Sequence, residues 1–278
     1  MQVIRTIADF RAARRSLADL GLVPTMGYLH DGHLSLVARA RSECDAVAVS
    51  IFVNPTQFGP HEDLARYPRD LPRDLGLLEA AGVDLVFAPD PEEMYPPGFD
   101  IRIEVGGVTG VLEGAVRPGH FSGVATVVAK LFNVVQPTRA YFGQKDAQQS
   151  VVIRKLARDL DMPVEVVVAP TVREADGLAL SSRNSYLTPP QRAAAPAIHQ
   201  ALIAARDLFT AGERDAEALR GAMRQVIAWQ PDLQVDYVSV ADPTTLRELA
   251  EVGRQALASL AVRLGATRLI DNLLLGAD

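Results

Sequence analysis

Two histidines, His30 and His33, are the residues whose types and spacing point most clearly to chemistry. They stand in segment 24–33, Pro-Thr-Met-Gly-Tyr-Leu-His-Asp-Gly-His, after a short apolar run and before an apolar-rich segment. This order is typical of a strand, a glycine-containing turn and the start of a helix. Helix starts attract anions, and an imidazole there can donate a hydrogen bond to a phosphate. A solvated cap and half of a metal site remain alternatives, although no cysteine cluster at zinc spacing accompanies the pair.

A pair of side-chain amides follows another apolar run. Asn54 and Gln57 flank a Pro-Thr turn directly after residues 45–53. An amide can donate and accept hydrogen bonds at once, which suits a small hydroxylated acid. Ordinary turn chemistry is the alternative, because Asn and Pro are common in turns.

Two further segments have the composition of phosphate sites. Gly143, Gln144, Lys145 and Asp146 open a predicted helix after a short strand, where lysine can bind phosphate oxygens and Asp146 can act as a helix cap. Gln148 and Gln149 point in different directions on that helix, so at most one of them faces a cleft. The polar stretch 180–185 offers two hydroxyls and a guanidinium, as a mobile phosphate clamp or as an ordinary solvent loop.

Strand and helix patterns alternate along the first two thirds of the chain. The patterns predict helices at 7–20, 33–43, 71–81, 120–135 and 146–160, and strands at 22–25, 45–53, 83–88, 101–105, 140–142 and 164–168. Such alternation is typical of an α/β fold with a Rossmann-like, doubly wound parallel sheet. Ligands bind beyond the carboxyl ends of such strands, so we expect the clusters after strands 22–25, 45–53 and 140–142 to face one cleft.

The last third of the chain has a different pattern. Ala169-Pro170 ends the alternation, and the residues beyond it predict helices at 190–210 and 214–229 and strands at 235–240, 255–262 and 267–273. We therefore expect a larger nucleotide-binding domain at 1–170 and a smaller C-terminal α+β lid domain at 171–278.

Composition narrows the class of protein. The chain has 278 residues, 48% hydrophobic and 22% charged, and its net charge of −6 argues against a general nucleic-acid binder. The sequence lacks a signal-peptide pattern and an apolar run of the roughly 20 residues that span a bilayer. Its one cysteine, Cys44, excludes an intramolecular disulfide. We expect a cytoplasmic protein with neither nucleic acid nor membrane as a partner.

Six segments, in this order, resemble those of the pantoate–β-alanine ligases, a family of the His-x-Gly-His nucleotidyltransferase superfamily. They are Pro-Thr-Met-Gly-x-x-His-x-Gly-His at 24–33, Phe-Val-Asn-Pro-Thr-Gln-Phe at 52–58, Tyr-Pro-Arg at 67–69, His-Phe-x-Gly-Val at 120–124, Phe-Gly-x-Lys-Asp-x-Gln-Gln at 142–149 and Ser-Ser-Arg-Asn at 181–184. The C-terminal Arg-Leu-Ile-Asp-Asn at 268–272 is similar too. The resemblance implies a two-step ligation, in which pantoate attacks the α-phosphorus of Mg-ATP and β-alanine then displaces AMP from pantoyl adenylate.

The resemblance also implies roles for individual residues and partners. ATP would be bound by Met26, Gly27, Tyr28, Leu29, His30, Asp31, Gly32, His33, Gly143, Gln144, Lys145, Asp146, Val172, Leu180, Ser181, Ser182 and Arg183. Of these, His33, His30, Lys145 and Arg183 would be catalytic, with His33 as proton donor. Pantoate would be bound by Gln57, Gln149 and Asn54, and β-alanine by Gln57. Mg²⁺ would accompany ATP without an assigned protein ligand, and the chain would form a homodimer.

Three positions depart from the family pattern. Gln144 stands where the family usually has Glu, Ser122 where it often has a longer polar residue, and Arg73 at a helix start that is usually acidic, although Asp74 remains. Two other functions are weighed against the ligase: a nucleotidyltransferase that stops at an adenylate, and a nucleotide-binding module without catalysis. Basic residues on three separate segments argue against the module, and the amides favour a polar acid over a second nucleotide.

Overall fold

The fold consists of two β-sheets with flanking helices, described here from a computed structural model for residues 1–60 and 62–276. The strands are β1 (Gln2–Ile4), β2 (Leu20–Thr25), β3 (Ala46–Ile51), β4 (Leu85–Phe87), β5 (Arg139–Gly143), β6 (Glu165–Ala169), β7 (Leu233–Ala241), β8 (Ala256–Leu264) and β9 (Thr267–Leu275). The α-helices are α1 (Ile7–Arg14), α2 (Asp31–Glu43), α3 (Leu71–Ala80), α4 (Pro91–Met94), α5 (Glu113–Val116), α6 (His120–Val135), α7 (Ala147–Asp159), α8 (Pro189–Ala194), α9 (Ala197–Thr210) and α10 (Ala216–Ala228). Short 3₁₀ turns cover Pro55–Gln57, Gln144–Asp146 and Ser182–Tyr186.

The larger sheet is parallel throughout, in the order β1-β4-β3-β2-β5-β6. Strand order reverses between β2 and β5, because β3 lies on one side of β2 and β5 on the other. A reversal of this kind opens a crevice at the carboxyl ends of the two central strands, where open α/β sheets bind ligands. The predicted doubly wound α/β sheet is therefore confirmed.

Apolar residues on both faces of this sheet form two cores. One core packs α1, α6 and α7 against the strands, through residues such as Phe10, Phe132 and Ile153. The other packs α2 and α3 through residues such as Val37 and Leu78. Strands covered on both faces read as continuous apolar runs, which is why residues 45–53 showed no alternation.

The smaller sheet is antiparallel, in the order β7-β8-β9, and packs against α9 and α10 around a third core. This confirms the expected change of architecture in the last third of the chain. Among the described residues, no helix is both long enough and apolar enough to cross a membrane.

The structure differs from the sequence-based element predictions in four places. The segment 101–105 forms no strand: Ile101 is exposed, and the amide of Ile103 donates to Thr126 Oγ1 of α6 instead of to a neighbouring strand. The helix predicted at 7–20 ends at Arg14, because Leu20 joins the parallel register with Ala46.

The other two corrections concern a proline and a short strand. The helix predicted at 190–210 is two helices, α8 and α9, separated at Pro196, whose backbone cannot donate a helical hydrogen bond. Strand β1 was not predicted, since three residues carry no readable pattern.

Candidate active site

A cavity of about 230 Å³ lies at the carboxyl ends of the central strands. The turn after β2, the amide turn after β3 and the loop after β5 all contribute side chains to its wall, so the prediction that these strand ends share one cleft is confirmed. The predicted site residues that line it are Met26, His30, Gly32, His33, Asn54, Gln57, Gly143, Lys145, Asp146, Gln149, Val172, Leu180, Ser181, Ser182 and Arg183.

The turn that carries the histidines is held from behind by Asp74. The backbone amides of Tyr28 and Leu29 donate to the two oxygens of this buried carboxylate, at 2.6 and 2.8 Å. Both Gly27 and Tyr28 have positive φ values, 81° and 51°. A left-handed backbone of this kind favours glycine, and the hydrogen bonds to Asp74 explain why Tyr28 tolerates it. Asp74 therefore shapes the turn and does not line the cavity.

His30 and His33 stack on each other at the start of α2, with ring centroids 4.0 Å apart. A Cβ added at Gly32 would approach the His30 ring to 2.9 Å, so glycine is required for this stacking. The amide of His30 donates to Nδ1 of His33 at 3.3 Å. The neutral His33 ring therefore carries its proton on Nε2, as a hydrogen-bond donor.

Both imidazoles are neutral at pH 7. Burial, reinforced by the nearby His30, lowers the pKa of His33 to about 3. Burial, reinforced by the Lys145 cation, lowers the pKa of His30 to about 4. The sequence predicts basic residues on three segments of this site, but His33 carries no charge at pH 7. Its neutral ring can still donate a hydrogen bond to phosphate.

Lys145 supplies the positive charge opposite the histidines. Its Nζ lies 3.6 Å from Asp146 Oδ1, and both side chains line the cavity. Burial opposes ionisation of Asp146, yet the Lys145 and Arg183 cations hold its pKa below the usual range. Asp146 makes no side-chain cap to α7, so the alternative role of a simple helix cap is not what the structure shows.

The amide turn after β3 is packed tightly against α6. Asn54, which is 1% exposed, donates from Nδ2 to Gly123 O at 3.2 Å and to Gln57 Oε1 at 3.1 Å. A Cβ at Gly123 would lie 2.4 Å from Thr56 O, so this glycine permits the close approach of helix and turn. Gln57 Nε2 is thereby directed to Met26 Sδ, 3.1 Å away, at the cavity wall. Asn54 acts mainly as a support for Gln57.

Gln149 and Gln148 have different surroundings, as their helical spacing predicts. Gln149 lines the cavity, whereas Gln148 is buried. The Gln148 amide donates to the carbonyls of Val108 and Val111, both at 2.8 Å, and accepts from Glu113 N at 2.9 Å. Gln148 thus fixes the start of α7 against segment 108–113, which lies before α6, and Gln149 faces the cavity.

Arg183 is held in the cavity by a carboxylate that the sequence analysis did not identify. Its Nε and Nη2 donate to the two oxygens of Asp63, both at 2.9 Å. Asp63 does not occupy the guanidinium edge that carries Nη1. Two more hydrogen bonds hold the segment that carries Arg183: Ser182 Oγ donates to Tyr28 O of the histidine turn at 3.3 Å, and Tyr186 Oη donates to Arg66 O, near Asp63, at 3.1 Å.

A second arginine, Arg117, lines the cavity and was missed by sequence reasoning. Glu62 binds its Nε and Nη2 at 2.7 and 2.6 Å, and its Nη1 lies 3.1 Å from Nε2 of His120. Nδ1 of His120 lies 2.8 Å from the carbonyl of Gln57, so that ring nitrogen carries the proton. Burial, followed by the Arg117 cation, lowers the His120 pKa to about 4. The sequence feature that could have identified Arg117 is its position three residues before His120.

Five of the predicted ATP residues do not line the cavity: Gly27, Tyr28, Leu29, Asp31 and Gln144. Leu29 is buried in the core beneath the turn. The Gln144 side chain points to Asn272, with Nε2 2.9 Å from Asn272 Oδ1. Contacts of these five residues with ATP stay a prediction. Tyr67, from one of the six segments that resemble the family, also lines the cavity. Val124, Val127 and Val128 are both core and cavity wall.

Within the described part of the chain, no three side chains of His, Cys, Asp or Glu come together as a metal site would require. Asp74, the acidic residue retained at the start of α3, has both oxygens occupied by backbone amides.

Comparison with known proteins gives the same family as the sequence resemblance. Residues 2–274 match the family model of pantoate-beta-alanine ligase. The pantothenate synthetase of Chloroflexus aggregans is 66% identical over 276 residues, covering 99% of this chain and all of that protein. That of Moorella thermoacetica is 58% identical over 279 residues, covering 99% of each chain.

Solved structures agree with the fold along nearly the whole chain. A pantothenate synthetase from Thermus thermophilus superposes with a TM-score of 0.96 at 54% identity, covering 98% of this chain and 99% of that one. A pantoate-beta-alanine ligase from Francisella tularensis, complexed with beta-gamma ATP and beta-alanine, superposes with a TM-score of 0.81 at 37% identity, covering 99% and 97%. The chain belongs to the pantoate–β-alanine ligase family.

Proposed function

We propose that this protein joins pantoate to β-alanine through a pantoyl-adenylate intermediate, releasing pyrophosphate and then AMP. One observation supports this most directly: neutral imidazoles, a lysine and an arginine line the same cavity as the amides of Gln57 and Gln149. The first group suits the phosphates of ATP, and the second suits a hydroxyacid beside them.

In the first step, a carboxylate oxygen of pantoate attacks the α-phosphorus of Mg-ATP, and the bond from that phosphorus to the bridging oxygen of pyrophosphate breaks. Negative charge grows on the α-phosphoryl and pyrophosphate oxygens. His33 donates from Nε2, Lys145 contributes a point charge, and Arg183 offers the Nη1 edge that Asp63 leaves open. No covalent enzyme intermediate is required, because positioning and charge stabilisation carry this step.

In the second step, the amine of β-alanine attacks the acyl carbon of pantoyl adenylate. The carbon–oxygen bond to AMP breaks, an amide forms and the amine loses a proton. Gln57 is placed to contact both acids, because its backbone carbonyl is held by His120 and its side chain by Asn54. Mg²⁺ enters and leaves as part of the nucleotide substrate.

A steady-state assay of AMP formation tests this function. AMP release is expected only when pantoate, β-alanine and Mg-ATP are all present. Pyrophosphate formed from ATP and pantoate alone is expected to stop at about one equivalent per active site. Continuous AMP release without β-alanine would indicate a nucleotidyltransferase that discards its adenylate, and absence of ATP cleavage would rule out the ligase.

Three broader features are part of the same proposal. A domain boundary near residue 170 is supported by the end of β6 at Ala169 and the change to an antiparallel sheet beyond it. Residues 171–172 and 180–183 line the cavity, which supports a lid role for a C-terminal domain at 171–278. The family resemblance supports a homodimer and the single cysteine supports a location in the cytoplasm. Light scattering would give the oligomeric state.

A further inference from the structure

An asparagine of the C-terminal sheet holds the loop that carries Lys145. Asn272 belongs to β9 and is 4% exposed. Its Nδ2 donates to the carbonyls of Gln144 and Lys145, both at 2.9 Å, and its Oδ1 accepts from Gln144 Nε2 at 2.9 Å. One side chain therefore makes three hydrogen bonds to a segment that lies 127 residues away in sequence.

The two carbonyls belong to the peptide groups on either side of the Lys145 Cα. Fixing both peptide planes fixes the backbone dihedrals of Lys145 and hence the direction in which its Cα–Cβ bond points. The remaining freedom of Lys145 lies in its own side-chain torsions. Nothing else described for this lysine restrains it strongly, since its contact with Asp146 is 3.6 Å long.

Asn272 is itself held firmly. The backbone of Asn272 pairs with Ser259 in the antiparallel register of β8 and β9. Its backbone N–H donates to Asp271 Oδ1 at 2.8 Å. Arg173 binds both oxygens of Asp271, at 2.5 and 3.0 Å. This arginine comes from the start of the segment that leads to Ser181 and Arg183. The C-terminal sheet therefore holds the lysine loop and the entry to the arginine segment through neighbouring residues.

We propose that Asn272 is a positioning residue for adenylate formation, acting through Lys145, so that correct seating of the C-terminal sheet sets the lysine for phosphate contact. This inference rests on the phosphate role of Lys145 in the proposed function. It gives the C-terminal domain a direct part in the first chemical step, in addition to covering the cavity.

A double-mutant cycle in single-turnover adenylate formation tests the inference. Asn272→Ala is expected to slow the step about 10–100-fold, the usual range for a group that orients a reacting residue, while the KM for pantoate stays within about twofold. In the Lys145→Ala background, Asn272→Ala is expected to cost less than about twofold, because the group it orients is absent. Tyr237→Phe is the matched control: it removes another contact of the C-terminal sheet, the 3.0 Å hydrogen bond to Glu113 of α5, without touching the lysine loop.

The outcomes of the cycle distinguish a positioning role of Asn272 from a purely structural one. An equal loss from Asn272→Ala in both backgrounds, or a similar loss from Tyr237→Phe, would mean that Asn272 only supports the fold and would overturn the inference. Normal adenylation by Asn272→Ala would overturn it too. Normal adenylation by Lys145→Ala would instead refute the phosphate role in the proposed function. If Asn272→Ala does not fold, Asn272→Ser, which keeps a single donor, takes its place in the same cycle.

Discussion

Two regions of the cavity are built in different ways. The first, here called the wall, comprises the histidine turn 26–33 and the lysine loop 143–146, and it is held by buried groups such as Asp74 and Asn272. The second, called the clamp, comprises the segments 62–69 and 181–186, and it is held by the ion pair of Arg183 with Asp63 and a few polar contacts. Buried hydrogen bonds fix position, whereas partly exposed ion pairs can exchange with a charged substrate.

This difference suggests that the wall and the clamp contribute differently to catalysis and substrate binding. The wall presents preorganised donors to the reacting phosphate, which is where stabilisation of developing charge is largest. The clamp presents a cation whose carboxylate partner comes from a neighbouring loop, so its contribution depends on how that loop sits. Changes in the wall should therefore reduce the rate of chemistry, and changes in the residues that support the clamp, such as Asp63, should mainly alter substrate binding.

The largest effects are expected in the wall. Lys145→Ala and His33→Ala should each slow adenylate formation by about 10²–10³-fold, as for a lost transition-state donor. Thermal unfolding should change little. Lys155→Ala serves as a matched control, because that lysine is on α7 but pairs with Asp159 at the surface. A variant that adenylates at nearly the unmodified rate would show that its residue is not part of the phosphate-binding wall.

Gln57 tests whether the amides select the acid rather than the nucleotide. Gln57→Ala should raise the KM for pantoate about tenfold, the loss of one or two hydrogen bonds, and leave the KM for ATP nearly unchanged. Both constants are measured in the same AMP-release assay. Equal increases for pantoate and ATP would remove the distinction between the two groups of residues.

The clamp should respond more weakly. Asp63→Asn weakens the pairing that orients Arg183, and we expect the KM for ATP to rise about fivefold, with a smaller change in kcat. Glu62→Gln is the matched variant, since it weakens the Arg117 pairing and should affect the acid substrates more than ATP. A lower KM for ATP in Asp63→Asn would reverse the interpretation, because Asp63 would then compete with phosphate for Arg183.

The smallest effect concerns stability and pH. The unfolded chain protonates His33 near the ordinary pKa of 6.5, whereas the folded protein does so only near 3, so acidification favours unfolding below about pH 6.5. Lowering the pH from 7.5 to 5.5 should cost about 1 kcal/mol in the free energy of unfolding for this residue. Urea unfolding of the protein and of His33→Asn measures it. An equal pH dependence in both would mean that His33 is not buried in its neutral form.

The sequence predicted that the histidine turn and the lysine loop face one cleft, because turns after parallel strands place polar residues at one sheet edge. The sequence did not predict the residues that hold these segments and Arg183 in place. Asp63, Asp74 and Asn272 are ordinary polar residues whose partners lie 120, 46 or 127 residues away, and only the fold brings them together. The same cause explains the missing strand at 101–105, where alternation was present but no strand partner lay alongside.

A crystal structure after soaking with Mg-ATP and pantoate tests the central claim most directly. We expect pantoyl adenylate in the cavity, with phosphate oxygens within hydrogen-bond distance of His33, Lys145 and Arg183 and the pantoyl group in contact with Gln57 and Gln149. Nucleotide phosphates bound away from these three residues, or pantoate bound away from the two glutamines, would contradict it.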